Sequence, residues 1–121
     1  MIYTGIDLVE IERFSALKPE IKSRFFTRVF TQSEREYIGA LDSRAAGIFS
    51  AKEAVAKALG CGIGPISWQE IEISHTREKQ PQVTLLGSAA SLAVDLQIDT
   101  WSVSITHTKK TAAAVAIAAA K

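Results

Sequence analysis

The turn-rich stretch Gly60-Cys61-Gly62-Ile63-Gly64-Pro65 divides this chain into two halves of opposite periodicity, and that division limits the folds open to it. Before it, apolar residues recur at helical spacing. Phe14, Leu17, Ile21, Phe25 and Val29 are three or four apart, with Pro19 breaking the run into two short helices. Thr31 with Glu34 forms a capping box that starts a helix through Leu41. Asp42 can cap the next helix, whose apolar positions Ala45, Ile48, Phe49, Val55 and Leu59 run to Gly60, a natural residue past a helix end. After the turn the pattern becomes alternating: Ile71 and Ile73 against Glu70 and Glu72, then Val83 and Leu85, then Trp101, Val103 and Ile105 against Ser102, Ser104 and Thr106. A helix over 88–96 interrupts these strands, and Val115 and Ile117 close the chain beyond a hairpin turn at Lys109-Lys110.

Residues 2–6 are apolar and β-prone, and Asp7 with Glu10 makes a capping-box pattern, so the spacing predicts a strand-to-helix junction at Asp7. The order β-α-α-α-β-β-α-β-β, with the first helical stretch broken at Pro19, implies an α+β domain with helices packed on an antiparallel sheet. With 121 residues, 47% hydrophobic, the chain has the size of a single domain, 1–121, able to bury a core. There is no internal repeat or low-complexity tract.

A net charge of +1 carries no global signal for nucleic acid. The N-terminus lacks the pattern of a secretory signal, and the most apolar segment, 112–120, is far shorter than the roughly 20 residues of a membrane span. One cysteine, Cys61, can form neither an intrachain disulfide nor a thiolate metal site, which suits a reducing cytosol and a cytoplasmic protein.

Three features carry chemistry. Glu53 and Lys57 are an i, i+4 pair on one helical face, in the order that favours a Glu-to-Lys contact, and read alone they make a surface ion pair. The helix containing Glu53 begins well before Ser50, so a Ser50–Glu53 capping box does not explain the acid. Asp7 is explained as a helix cap, yet a strand-end carboxylate and a helix carboxylate are also an economical pair for Mg2+, which takes few protein ligands and keeps places for water and phosphate. Beside such a metal Lys57 would suit phosphate. His107 is in phase with Trp101, Val103 and Ile105, which makes it a strand-end histidine half covered by the sheet. Glycines 60, 62 and 64 follow a helix rather than precede one, so alone they read as a turn. Finally, Arg13, Lys18, Lys22, Arg24 and Arg28 stand against Glu20 alone over 13–28, a local excess of four that points to an acidic macromolecular partner.

In this order the pieces resemble the holo-acyl-carrier-protein synthases, the small single-domain branch of the 4'-phosphopantetheinyl transferases. Gly5-Ile6-Asp7-Leu8-Val9-Glu10-Ile11 with Arg13-Phe14 is similar to the family's opening motif. Phe49 to Gly60 is similar to its Lys-Glu-Ala helix, and Ser102 to His107 with Thr108 and Ala112-Ala113-Ala114 to its closing hairpin. The resemblance implies transfer of the phosphopantetheine arm of coenzyme A to a serine of apo acyl carrier protein, in support of fatty acid biosynthesis. It implies Mg2+ held by Asp7 and Glu53, Lys57 as a phosphate-binding cation and His107 near the coenzyme's phosphates. Asp7, Glu53, Lys57 and His107 are thus the expected catalytic set. Coenzyme A is expected on Lys57, Gly60, Gly62, Gly64, Pro81, His107 and Thr108, and the acidic carrier protein on Arg13, Arg24 and Arg28. A homotrimer with sites between subunits is also implied, without nucleic acid or membrane partners.

The chain departs from the family at Ile48, where the family has arginine, at Cys61, where it has threonine, and at Thr111, where it has an aromatic. The family's Gly-Lys-Pro turn appears as Lys79-Gln80-Pro81. Arg44, one helical turn before Ile48, is a candidate substitute for the arginine. Two other readings remain open from the residues: a catalytically silent subunit that binds coenzyme A or carrier protein, and another Mg2+-dependent phosphate enzyme.

Overall fold

The computed structural model describes residues 1–120. In chain order the elements are β1 (Ile2–Glu10), α1 (Glu12–Ser15), α2 (Pro19–Val29), α3 (Gln32–Ile38), α4 (Asp42–Ala58), a 3-10 turn at Trp68–Glu70, β2 (Ile71–His75), β3 (Pro81–Leu85), α5 (Gly87–Asp95), β4 (Ile98–His107) and β5 (Thr111–Ala120). The α+β architecture is the one expected. The strands form two antiparallel sheets, a three-stranded one in the order β1-β5-β4 and a separate β2-β3 hairpin. Pro19 opens α2 as its first residue, where its missing N–H costs nothing.

Helix α4 lies across the three-stranded sheet, and small residues on both sides let the two approach closely. Ala112, Ala114, Ala116 and Ala118 of β5 are buried, as are Ala45, Ala51, Ala54 and Ala58 of α4. The tightest crossing is at Gly5, where an added Cβ would fall 1.8 Å from the carbonyl oxygen of Ala54. Strand parity then fixes everything else on β1. Gly5 and Val9 are buried against the helix, and Asp7 between them shares that face. Ile2, Thr4, Ile6 and Leu8 point the other way and are exposed.

Two expectations about local structure are corrected. Asp7 does not cap a helix: β1 continues three residues further, because Asp7, Leu8, Val9 and Glu10 pair with Ala114, Ala113, Ala112 and Thr111 of β5. That ladder offers the backbone more than one side-chain cap could, and α1 starts at Glu12 with no side-chain cap at all. Asp42 does not cap α4 either; it is the first helical residue, and its carboxylate instead takes an ion pair from Lys22 at 2.7 Å and a hydrogen bond from Ser15 Oγ at 2.9 Å.

The Thr31–Glu34 capping box forms, but α3 ends at Ile38 rather than Leu41, since Gly39 turns the chain at φ +54°. Glu34 does more than cap. It is fully buried and meets the equally buried Lys52 of α4 at 2.6 Å. Every donor and acceptor of this pair is used: Glu34 accepts from the backbone N–H of Thr31 (2.9 Å) and Ile73 (2.7 Å), and Lys52 donates to the carbonyls of Val29 (3.0 Å) and Trp68 (2.9 Å). The pair thereby ties α2, α3, the 3-10 turn and β2 to α4. Around it Phe14, Phe25, Phe26, Phe30, Phe49 and Trp68 interlock, mostly edge to face, as the aromatic part of the core.

Candidate active site

The crossing of β1 and α4 brings Asp7, Glu53 and Lys57 together. Lys57, in the last turn of α4, donates to Asp7 Oδ1 at 3.1 Å and to the carbonyl oxygen of Ile6 at 3.0 Å. The expected Glu53–Lys57 contact is therefore replaced by a contact across elements. Once β1 lies against the helix, Asp7 offers Lys57 a carboxylate and a neighbouring carbonyl at once. Glu53, half-buried one turn earlier, has neither hydrogen-bond nor ion-pair partner among the described residues. Burial, and then the negative charge of Asp7, push its carboxyl above the usual range, while the charges of Lys57 and Arg13 pull the other way.

Two interacting carboxylates, of which only Asp7 is paired with the half-exposed Lys57 amine, leave negative charge uncompensated. Oxygen donors of this kind suit a hard divalent cation. No group of three or more His, Cys, Asp or Glu side chains placed to hold a metal exists among the described residues, so any ion here would complete its shell with water or substrate oxygens.

The other expected site residues fall into three places. His107 is exposed rather than half covered, because β4 ends there and the chain turns into the hairpin; its Nδ1 lies 3.2 Å from the carbonyl oxygen of Thr108. Thr108 holds that turn, its hydroxyl accepting from the backbone N–H of Thr111 (3.1 Å) and Lys110 (3.3 Å). His107 and Pro81 line one concavity of about 340 Å3, together with Arg44 and Ile48 of α4. Ile48 is buried there, and Arg44, one turn earlier, is the exposed group.

Gly60, Gly62 and Gly64 follow α4 in left-handed or glycine-only backbone conformations, at φ +85°, +67° and +143°. Gly64 borders a second depression with Arg28, Ser67 and Trp68. Arg24 and Arg28 flank a shallow groove floored by Ile21 and Phe25 on the outside of α2, whereas Arg13 stands apart with its guanidinium 5.1 Å from the Phe49 ring.

Sequence reasoning passed over Tyr37 and His75 and met Lys79 only as part of the turn Lys79-Gln80-Pro81; all three share the cavity of His107. It also read Glu34 only as a cap and did not single out Lys52. The signal for that pair was present: Lys52 falls among the apolar positions of α4, where a lone charge requires a buried partner.

Residues 3–118 match the 4'-phosphopantetheinyl transferase superfamily, and the chain belongs to that family. Within it the chain resembles the holo-acyl-carrier-protein synthases. It is 42% identical to that of Caldanaerobacter subterraneus subsp. tengcongensis over 97% of this chain and 94% of the relative, and 41% identical to that of Verminephrobacter eiseniae over 96% and 92%. Among solved structures, the Helicobacter pylori holo-acyl-carrier-protein synthase in complex with coenzyme A superposes with a TM-score of 0.86 at 34% identity, covering 98% of this chain and all of that one. The Neisseria meningitidis enzyme gives 0.86 at 31% identity over 98% of this chain and 99% of that one.

Proposed function

We propose that the protein transfers the 4'-phosphopantetheine group of coenzyme A to a serine hydroxyl of apo acyl carrier protein, in support of fatty acid biosynthesis in the cytoplasm. The observation that carries this reading is the Asp7–Glu53–Lys57 cluster at the β1–α4 crossing. In the reaction the serine oxygen bonds to the phosphorus of the pantetheine-bearing phosphate, the pyrophosphate P–O bond breaks, and adenosine 3',5'-bisphosphate leaves with the bonding electrons. Asp7 and Glu53 would hold Mg2+, which when bound neutralises charge on the pyrophosphate.

Lys57 lies on the cluster's exposed side and binds a phosphate oxygen as a point charge, so that negative charge developing at phosphorus meets a preplaced cation. Glu53 takes the serine proton. His107 and Pro81 face the adenosine bisphosphate end, with Gly60, Gly62, Gly64 and Thr108 shaping the remainder of the coenzyme's path.

The groove between Arg24 and Arg28 offers an acidic helical carrier both charge and an apolar floor, and Arg13 on α1 adds a separate cation. The outer face of the three-stranded sheet supports a trimer with sites between subunits. Ile2, Ile6 and Leu8 are 68%, 68% and 70% exposed there, beside Val115 and Ile117 of β5, a patch that association would cover. The test is stoichiometric: with coenzyme A, Mg2+ and apo carrier protein, one adenosine 3',5'-bisphosphate should appear per carrier consumed. Coenzyme breakdown without carrier modification would refute the reading.

A further inference from the structure

Among the described residues one buried side-chain polar atom has no hydrogen-bond partner, and it is Ser50 Oγ of α4. The residue is fully buried. A serine inside a helix ordinarily returns its hydroxyl to the carbonyl one turn back, but Ser50 bonds neither to Ala46 nor to any other group. A hydroxyl left unpaired away from water is unfavourable, so a single instance in an otherwise satisfied interior needs a cause. Its place on the helix supplies one. Ser50 precedes Glu53 by three residues and Lys57 by seven, so the three share one helical face. Side chains on a helix lean toward its N-terminus, which inclines Glu53 back over the turn that holds Ser50. Glu53 also has no hydrogen-bond partner among the described residues. A donor without an acceptor and an acceptor without a donor therefore stand on adjacent turns.

The sheet below offers Ser50 little else. At Gly47, one turn before Ser50, an added Cβ would lie 2.9 Å from Cγ2 of Ile105 on β4, whereas Ala54, one turn after, crosses Gly5 of β1. Between these two points α4 passes over β5, whose buried side chains are alanines. The strand register sets Ile105, Ala114 and Asp7 in one row and Val103, Ala116 and Gly5 in the next. Asp7 is the one polar side chain in those two rows, and its Oδ1 already accepts from Lys57.

We infer that Ser50 is a positioning residue for Glu53, its hydroxyl donating to the Glu53 carboxylate when that carboxylate engages a divalent cation together with Asp7. This rests on the reading of Asp7 and Glu53 as the holders of that cation. Without a cation, the negative charge of Asp7 opposes bringing Glu53 inward; a cation shared by the two acids removes the opposition and lets donor and acceptor meet. One carboxylate oxygen is then fixed by the helix, and the other is turned to the ion. A hydrogen bond of this kind behind a ligand sets its orientation without touching substrate.

The test uses Mn2+ alone as the probe, with its affinity for the protein read from the electron paramagnetic resonance of the free ion, and melting followed separately in chelator. Ser50→Ala removes the hydroxyl and suits a helix interior. It should bind Mn2+ about tenfold more weakly than wild type. In chelator it should melt no lower than wild type, because an unpaired buried hydroxyl has gone. Equal Mn2+ affinity in the two proteins would overturn the inference, and so would weaker binding accompanied by a lower melting temperature in chelator, which would make Ser50 a packing residue. A folded wild-type protein that binds no Mn2+ up to millimolar concentration would overturn it together with the reading on which it rests.

Discussion

Lys57 Nζ lies 3.1 Å from Asp7 Oδ1, across the gap between α4 and β1, while Glu53, on the same helix one turn earlier, is left without a hydrogen-bonding partner. The lysine therefore shares its charge between the Asp7 carboxylate, the Ile6 carbonyl and solvent, its side chain being 50% exposed. The glutamate keeps its oxygens free of protein donors among the described residues.

Lys57→Ala should lower kcat/KM for transfer by roughly 10^2 to 10^3, the scale of losing one preplaced charge in a transition state. Stability should hardly change, because the Lys57 side chain is 50% exposed and a pair of that kind contributes at most about 1 kcal/mol. A variant that instead unfolds early in urea, with normal turnover while folded, would place Lys57 among structural residues.

Glu53→Gln should lower turnover by roughly 10^2 to 10^4, the range for removing a general base. Its effect on stability runs the other way. Because the folded carboxyl titrates above its unfolded value, the folded state binds more protons and stability falls as pH rises through that range. Without divalent ions, the variant should then melt higher than wild type at pH 7, and the difference should vanish below the ordinary glutamate range. Equal melting temperatures across pH would contradict the assigned cause.

How much of this was visible beforehand differs between fold and site. The elements and the hairpin at Lys109-Lys110 were legible because their periodicity is local, and Asp7, Glu53 and Lys57 stood out as charges in apolar surroundings. The partner of Lys57 was not legible, since an i, i+4 rule sees only its own helix and Asp7 lies 50 residues away in sequence. The end of β1 was misplaced for a related reason: its ladder with β5 is the most non-local pairing in the chain. The Tyr37–His75 stack joins α3 to β2 and leaves no trace in either segment's pattern.

Gly5→Ala should destabilise the fold by about 3 kcal/mol or more in equilibrium urea unfolding. The new methyl would sit 1.8 Å from a backbone oxygen of α4, and neither element can move without opening the β1–α4 crossing. Any folded fraction should also transfer more slowly, because Asp7 is two residues further along the displaced strand. A loss under 1 kcal/mol would mean the crossing is looser than described.

Lys52→Met should cost about 3 to 5 kcal/mol, as Glu34 would be left charged, buried and unpaired. Burial already draws the lysine below its ordinary range, with the Glu34 charge opposing. Adding Glu34→Leu should not restore stability, because the backbone groups of Val29, Trp68, Thr31 and Ile73 would lose their partners together. Recovery of wild-type unfolding midpoints in the double variant would show that those backbone contacts contribute little.

Arg24→Glu should raise KM for the carrier protein about tenfold or more while leaving that for coenzyme A within twofold, since Arg24 lines the α2 groove and not the cavity of His107 and Pro81. The penalty should shrink as salt is raised. An unchanged carrier KM would remove α2 from the docking surface.

The most direct measurement is the intact mass of apo acyl carrier protein after incubation with the protein, coenzyme A and Mg2+. The account predicts a gain equal to one phosphopantetheine on a single serine, strongly slowed by Glu53→Gln and abolished by chelation of the metal. A carrier of unchanged mass in the presence of folded wild-type protein, coenzyme and metal would contradict it.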